Sequence, residues 1–506
     1  MLGSDDILYF IHIPKAGGTS LISLLDNQFR HEEICPAQLW RQFATLNPID
    51  LPNYRLFHGH FGGGGIQPFL EKPPITMTML RHPLGLSLST YKFVKREPAI
   101  AAHEVVVGEG LSFADYVRHP RCRLDIRNKQ TFSLAFELAL PSEPPTIFDC
   151  AGSPTQLEQW IHTHTVPVVI PKRLQRSRRV LWDCTFFGIV ERFDESVMLM
   201  CFTFGWPALG TAPRLRAATT ATDINTIDAE TIHQVEQLNQ QDLRLYRGAT
   251  QLFNRRLEQM MRKLSAYLQP GERMPATIQD DPAFVNALID RHHERWIARS
   301  QPSPTSVFFD YDAPIDGRGW QRRSHLPLPQ SALQHCPRSY CWTGPAAQSR
   351  LNLAIAATQE LRLRFQIIDV IHPSLLKTLV VKANGDPIDL RHIQRLGLPA
   401  PQVIEGIIPA KIAHQNNGYV QLEFEIIATV AMLPKILDDP SCLQVGLAFH
   451  WVALQPVSEK PMHCAWWTTL GLTGYYLYAQ IKRGLKNHLP FLTRLSKAWK
   501  ARHLRK

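Results

Sequence analysis

Short apolar runs alternate with helix-period segments along the first half of the chain. Ile7–Ile13, Thr76–Leu80 and Phe186–Val190 are apolar almost throughout and read as buried parallel strands. Each leads through a turn into a segment with apolar residues at helical spacing: Thr19–Phe29, Leu84–Val94 and Phe193–Phe204. A last helix is expected over Ile232–Leu268, with Val235, Leu238, Leu245 and Leu252 at helical spacing and Gln269-Pro-Gly271 as its stop. This succession predicts an α/β unit over residues 1–268, a parallel sheet with helices on both faces.

Residues 269–304 read as a connector, with one helix at Ala283–Ser300 and a Pro/Ser-rich exit. Beyond it the period changes. Leu361–Ile367 and Tyr419–Ile426 alternate apolar and polar positions, which predicts half-exposed antiparallel strands. Leu376–Ala383 runs into Asn384-Gly385, a hairpin signal, and Leu443–Leu454 adds another strand. The expectation for 305–457 is a β-sandwich. In Tyr340-Cys-Trp-Thr-Gly-Pro345, Trp342 reads as a core residue before it reads as a platform for a sugar ring.

Charge separates the tail from the body. The 506-residue chain carries a formal net charge of +11. Ten Lys/Arg and no Asp/Glu fall between Lys460 and Lys506, and without them the chain holds 45 basic and 44 acidic residues. A chain-wide nucleic-acid surface is therefore not supported, and no nucleic-acid partner is expected. Pro461–Ile481 lacks charge but is rich in Trp, Tyr and Thr, which suits a membrane interface better than the hydrocarbon core. Leu485, Leu489, Leu492 and Trp499 follow among lysines and arginines, so 458–506 is read as a basic amphipathic tail with peripheral membrane contact. The nine cysteines form no CxxC pair, which argues against a disulfide framework or a zinc site. Acidic Asp5 and Asp6 leading straight into an apolar strand do not read as a signal peptide, so none is expected, and a reducing, cytoplasmic setting is expected, with the tail on the inner membrane face.

The chemistry concentrates in three segments. Ile11-His-Ile-Pro-Lys-Ala-Gly-Gly-Thr-Ser20 lies at a strand–loop–helix junction. Gly17 and Gly18 permit close backbone approach to an anion, Thr19 and Ser20 add hydroxyls, and the helix start adds N–H groups and a positive dipole end. Lys15 adds a full charge but precedes the glycines, whereas a Walker A loop needs its lysine after them. Met79-Leu-Arg-His-Pro-Leu-Gly-Leu-Ser-Leu-Ser-Thr-Tyr91 repeats the strand-to-helix arrangement, with Arg81 at the strand tip and Ser89 two turns along the helix. Phe57-His-Gly-His-Phe61 leads into Gly62–Gly65, and an imidazole can take a hydroxyl proton near neutral pH.

The first segment resembles the 5′-phosphosulfate loop of sulfotransferases that use 3′-phosphoadenosine 5′-phosphosulfate (PAPS), nearest to the heparan-sulfate 2-O/6-O and bacterial glycan branch. The resemblance covers roughly the first half of the chain. It implies an α/β fold with a P-loop-like parallel sheet, followed here by the β-sandwich domain and the basic helical tail. It implies PAPS as sulfuryl donor, held by Lys15, Gly17, Gly18, Thr19 and Ser20 at the 5′ end and by Arg81 and Ser89 at the 3′-phosphate, with no metal. It implies His60 as catalytic base, with His58 steering the acceptor and Lys15 offsetting charge on the transferring group. The acceptor it implies is a carbohydrate hydroxyl, with a lipid-linked glycan as one form. Leu86 departs from the pattern, since the family often has a second Arg five positions after the first. Phe186-Phe-Gly-Ile-Val-Glu-Arg-Phe193 and Leu238-Asn-x-x-Asp-x-x-Leu-Tyr246 resemble the family's late strand and closing helix. Two rivals stand beside this reading: a nucleotide kinase, and a non-catalytic glycan-binding or assembly protein with a degenerate nucleotide domain.

Overall fold

The computed structural model describes residues 2–460 apart from 142–145, 211–223, 298–303, 327–336, 357–358, 395–399, 417 and 433–442, together with Tyr476. The expected tail beyond 460 lies outside the described residues, Tyr476 excepted. Two compact units divide at Met1–Ile297 and Ala298–Lys506.

The first unit is built on a four-stranded, wholly parallel sheet: β1 (Leu8–Ile11), β2 (Leu56–Gly59), β3 (Ile75–Leu80) and β4 (Phe186–Ile189). The spatial order is β2-β1-β3-β4. Leu8 pairs with both Leu56 and Ile75, and Ile11 with both Gly59 and Thr78, so three strands finish nearly level. Every residue of β1, β2 and β4 is buried, as continuous apolar runs require when a sheet is covered on both sides. Only β2 was not legible as a strand, because His58 and Gly59 break its apolar run.

The helices that matter to the site are α1 (Gly18–Leu25), α2 (Pro83–Arg96), α3 (Lys129–Ala135), α4 (Phe193–Phe204), α5 (Ala229–Leu238), α6 (Gln240–Leu264) and α7 (Pro282–Ile297). Their ends follow local chemistry. Pro83 occupies the first position of α2, and Gly205, at φ 74°, closes α4 in the left-handed conformation. The long helix expected over Ile232–Leu268 is two helices. Asn239, at φ −117° and ψ 28°, separates α5 from α6 and turns its side-chain amide onto the Val235 carbonyl, an Asn competing with the helix ladder. The sequence-level connector is also more than a connector, since Val285, Leu288 and Ile289 of α7 are fully buried in the first unit's core.

The second unit contains a seven-stranded and a five-stranded antiparallel sheet. Leu361–Val370 lies between Gln402–Ile408 and Leu447–Pro456 in the first, and Tyr419–Glu425 pairs with Gln348–Ala354 in the second. Phe365 and Phe449 from one sheet meet Phe424 from the other, so both sheets share one core. The hairpin at Asn384-Gly385 forms, with φ 49° and 92° at its two central residues, as a type I′ turn demands. Trp342 is 6% exposed and packs against Leu326, Tyr340 and Ile368, a core residue.

Candidate active site

The strand order sets the site. From β1 the chain moves to one side to make β2 and to the other to make β3 and β4, so the loops leaving the carboxyl ends of β1 and β3 diverge, the switch point at which open α/β sheets bind ligands in a crevice. The three chemistry-bearing segments are the three loops at the ends of β2, β1 and β3.

After β1 the chain enters a strained turn. Lys15 sits at φ 67° and Gly17 at φ 74°. A non-glycine residue in that region is uncommon, and such strain persists where the surroundings hold it. Gly17, the N-cap of α1, has no side chain with which to cap the first N–H groups of the helix. Thr19 is half-buried and Ser20 buried in its first turn. Gly18 has a second reason to be glycine: a Cβ there would fall 1.8 Å from His12 Nε2. The His12 ring, one residue past β1, lies against the first residue of α1.

His60 follows β2 by one residue, with Nδ1 2.8 Å from the His12 carbonyl oxygen. A carbonyl only accepts, so Nδ1 carries the hydrogen and Nε2 keeps its lone pair. Burial lowers the His60 pKa below its ordinary 6.5; the His12 carbonyl opposes that, and the cations Lys129 and Lys15 add to it. His60 is thus a neutral imidazole at pH 7 with a lone pair on Nε2. The His12 ring lies 4.3 Å from it, centroid to centroid, and stacks on Phe10. Burial first, then the neighbouring imidazoles and Lys15, drive His12 well below the usual histidine range, and its buried Nδ1 has no hydrogen-bond partner among the described residues. His58 occupies a different position. It is 2% exposed within β2, and its Nε2 lies 3.1 Å from Asp26 Oδ1, fastening the strand to the end of α1.

Arg81 emerges from β3. Its Nη1 donates to the Lys15 carbonyl at 3.1 Å, tying the two loops together across the crevice. Its enclosed Nε has no partner, and no carboxylate forms an ion pair with it among the described residues. Burial lowers its pKa, and Glu191 partly restores it. With Glu191 acting on it only through space, the half-buried guanidinium gains from an anion that bonds to it directly. Ser89 is buried in α2, one turn before Phe93, and the Lys15 ammonium lies over the Phe93 ring, 4.3 Å from its centroid. Arg81 thus reaches the Lys15 backbone, and the Lys15 ammonium reaches Phe93, one turn from Ser89 on α2. Leu86, where the family pattern often has arginine, is 1% exposed and belongs to the core. The run Gly62–Gly65 accommodates chain: Gly63 and Gly64 donate to the Ser133 and Phe136 carbonyls, and a Cβ on Gly63 would fall 2.1 Å from the Leu134 oxygen.

Further residues hold this arrangement: Glu191, Asp242 and Tyr246, which lie in the two segments resembling the family's late strand and closing helix, and Asn128 and Gln130, which the sequence reading did not single out. Gln130 of α3 brackets the Arg81 backbone, its Oε1 accepting from the Arg81 N–H at 2.9 Å and its Nε2 donating to the Arg81 carbonyl at 2.8 Å. The starts of α3 and α6 cap each other. Asn128 Oδ1 accepts from the N–H groups of Gln241 and Asp242, and the Asp242 carboxylate accepts from Gln130 N, Thr131 N and the Thr131 hydroxyl. Asp242 is fully buried, which raises its pKa against those hydrogen bonds. Glu191, just after β4, accepts from the His82 N–H at 2.9 Å and from the Tyr246 hydroxyl at 2.9 Å. The available signal was Asn239, Asp242 and Tyr246 in the segment resembling the closing helix, and a histidine just before the glycine loop.

Among the described residues no group of three or more His, Cys, Asp or Glu is placed to hold a metal ion, and no helix is long and apolar enough to cross a membrane. No protein-family model matches the chain, and no curated protein matches it.

Proposed function

We propose that the first unit is a group-transfer enzyme whose crevice binds a nucleotide phosphorylated at both ends of its ribose. The particular activity we infer is PAPS-dependent sulfotransfer to a carbohydrate hydroxyl. The observation that carries this reading is Arg81: a half-buried guanidinium, without an ion-pair partner among the described residues, bonded to the glycine-rich loop beside a histidine with its lone pair on Nε2.

The residues fit a doubly anionic ligand. Arg81, with Ser89 two turns along α2, suits the 3′-phosphate. The start of α1, with Gly17, Gly18, Thr19, Ser20 and Lys15, suits the 5′-phosphosulfate. When bound, the nucleotide supplies a sulfuryl group whose bond to the phosphate oxygen breaks as one forms to the acceptor oxygen. His60 Nε2 takes the acceptor proton, and the Nδ1–H bond to the His12 carbonyl keeps the ring in the tautomer that can do so. Lys15 and the α1 amides offset negative charge on the group being displaced, so positioning and charge neutralisation carry the rate, as in phosphoryl transfer. His58, bonded to Asp26, acts by holding β2 against α1.

Calorimetry with 3′-phosphoadenosine 5′-phosphate against ATP tests the reading. Binding of the former with clear preference is expected. Binding of neither supports the non-catalytic rival, and phosphoryl transfer from radiolabelled ATP would support the kinase. The β-domain and the tail fit an accessory role at a cytoplasmic membrane face, where a lipid-linked glycan acceptor would be reached. Flotation of full-length protein with anionic liposomes, lost in a chain ending near Glu459, is the expected result.

A further inference from the structure

We propose that one face of α6, acting through Gln130 and Glu191, makes the nucleotide site demand a 3′-phosphate. The inference rests on the sulfotransferase reading above and names what sets its nucleotide specificity. Leu80 pairs with Ile189 at the end of the sheet, so Arg81 is the first residue beyond the ladder, where backbone groups lose their strand partners. The Gln130 carboxamide takes that place, accepting from the Arg81 N–H and donating to the Arg81 carbonyl as a neighbouring strand would. Only a side chain with a donor and an acceptor on one planar group can make both bonds.

Gln130 is held in turn. Its own N–H donates to Asp242, which is buried and bonded to two further groups of α3. A second line runs beside the first. The Tyr246 hydroxyl donates to Glu191, whose other oxygen accepts from the N–H of His82, the residue after Arg81. Asp242 and Tyr246 are four apart on α6, hence on one face. One helix face thus fixes two successive residues at the strand tip. The backbone that carries the guanidinium is immobilised before any ligand arrives, which reduces the ordering cost of gripping a phosphate. Gln130, Asp242, Glu191 and Tyr246 are positioning residues.

Adenosine 5′-phosphate and 3′-phosphoadenosine 5′-phosphate differ only in the group that Arg81 receives, so the ratio of their affinities reads the clamp. The experiment measures both by calorimetry in wild type, Gln130→Ala, Gln130→Glu and Tyr246→Phe, with thermal unfolding to confirm folding. Gln130→Ala should reduce the ratio roughly three- to tenfold, the scale of one or two lost hydrogen bonds, through the 3′-phosphorylated ligand alone. Gln130→Glu keeps the acceptor and loses the donor, so part of the ratio should return relative to Ala at acid pH, where the carboxyl is protonated. Tyr246→Phe, which retains the ring, should reduce the ratio less. The acid limb of turnover, governed by His60, should not move in Tyr246→Phe. An unchanged ratio in folded Gln130→Ala and Tyr246→Phe, or an equal loss for both ligands, would overturn the clamp while leaving the sulfotransferase reading standing. A wild-type protein without preference for the 3′-phosphorylated ligand would overturn both.

Discussion

Arg81 and His60 are each held by a backbone carbonyl of the loop after β1, Lys15 in one case and His12 in the other. Removing either side chain therefore has a separable consequence. Arg81→Ala should weaken 3′-phosphoadenosine 5′-phosphate by about 1.5–3 kcal/mol, the worth of a charged hydrogen bond, and hardly alter adenosine 5′-phosphosulfate. Titration calorimetry with both ligands reads this directly. His60→Ala should lower turnover by about 10² to 10⁴ with nucleotide affinity kept, measured as single-turnover sulfate transfer. The pH profile adds a sign. A base with a lowered pKa stays active as pH falls until its proton returns, so the acid limb should lie below the ordinary histidine value of 6.5. Lys129 depresses that pKa, and Lys129→Met should move the limb upward.

At the scale of elements, the site depends on how α1, α3 and α6 begin. Gly18→Ala would drive a methyl into the His12 ring, whose Nε2 lies 1.8 Å from the new Cβ position. Overpacking of this kind costs about 1–3 kcal/mol, and a lowered melting temperature with weakened nucleotide binding is expected. Asp242→Leu would orphan the Gln130 and Thr131 N–H groups at about 1–3 kcal/mol each, so chemical denaturation should show a larger loss than for Asp242→Asn, which keeps one acceptor. Strands β1, β3 and β4 were legible within a few residues, because burial on both faces demands unbroken apolar runs. The break at Asn239 was not: Val235 and Leu245 keep helical spacing on either side, and only the Asn128 partner explains why the helix restarts there.

At the scale of the molecule, the cores of the two units share no residue. A fragment of residues 1–297 should therefore unfold cooperatively and keep nucleotide binding. A fragment ending at 268 should aggregate, since it loses the fully buried Val285, Leu288 and Ile289 and the Asp290 carboxylate that accepts from Ala208 N. Three such side chains are worth about 5–9 kcal/mol, comparable to the stability of a whole domain. Circular dichroism melts of both fragments check this. What the sequence determined by itself is what contiguous residues can specify: the strand–loop–helix units, the glycine loop with Lys15, Arg81 at a strand tip, and the hairpin at Asn384-Gly385. These follow from local sterics and from the short reach between a loop and the helix it opens. Tertiary structure alone decided that the three segments end level in the order β2-β1-β3, that His58 faces Asp26 while His60 bonds to His12, and that Gln130 and Asp242 brace Arg81. The physical reason is distance along the chain. Gln130 and Asp242 are 112 residues apart, and no local propensity couples groups so separated until the core has folded around them.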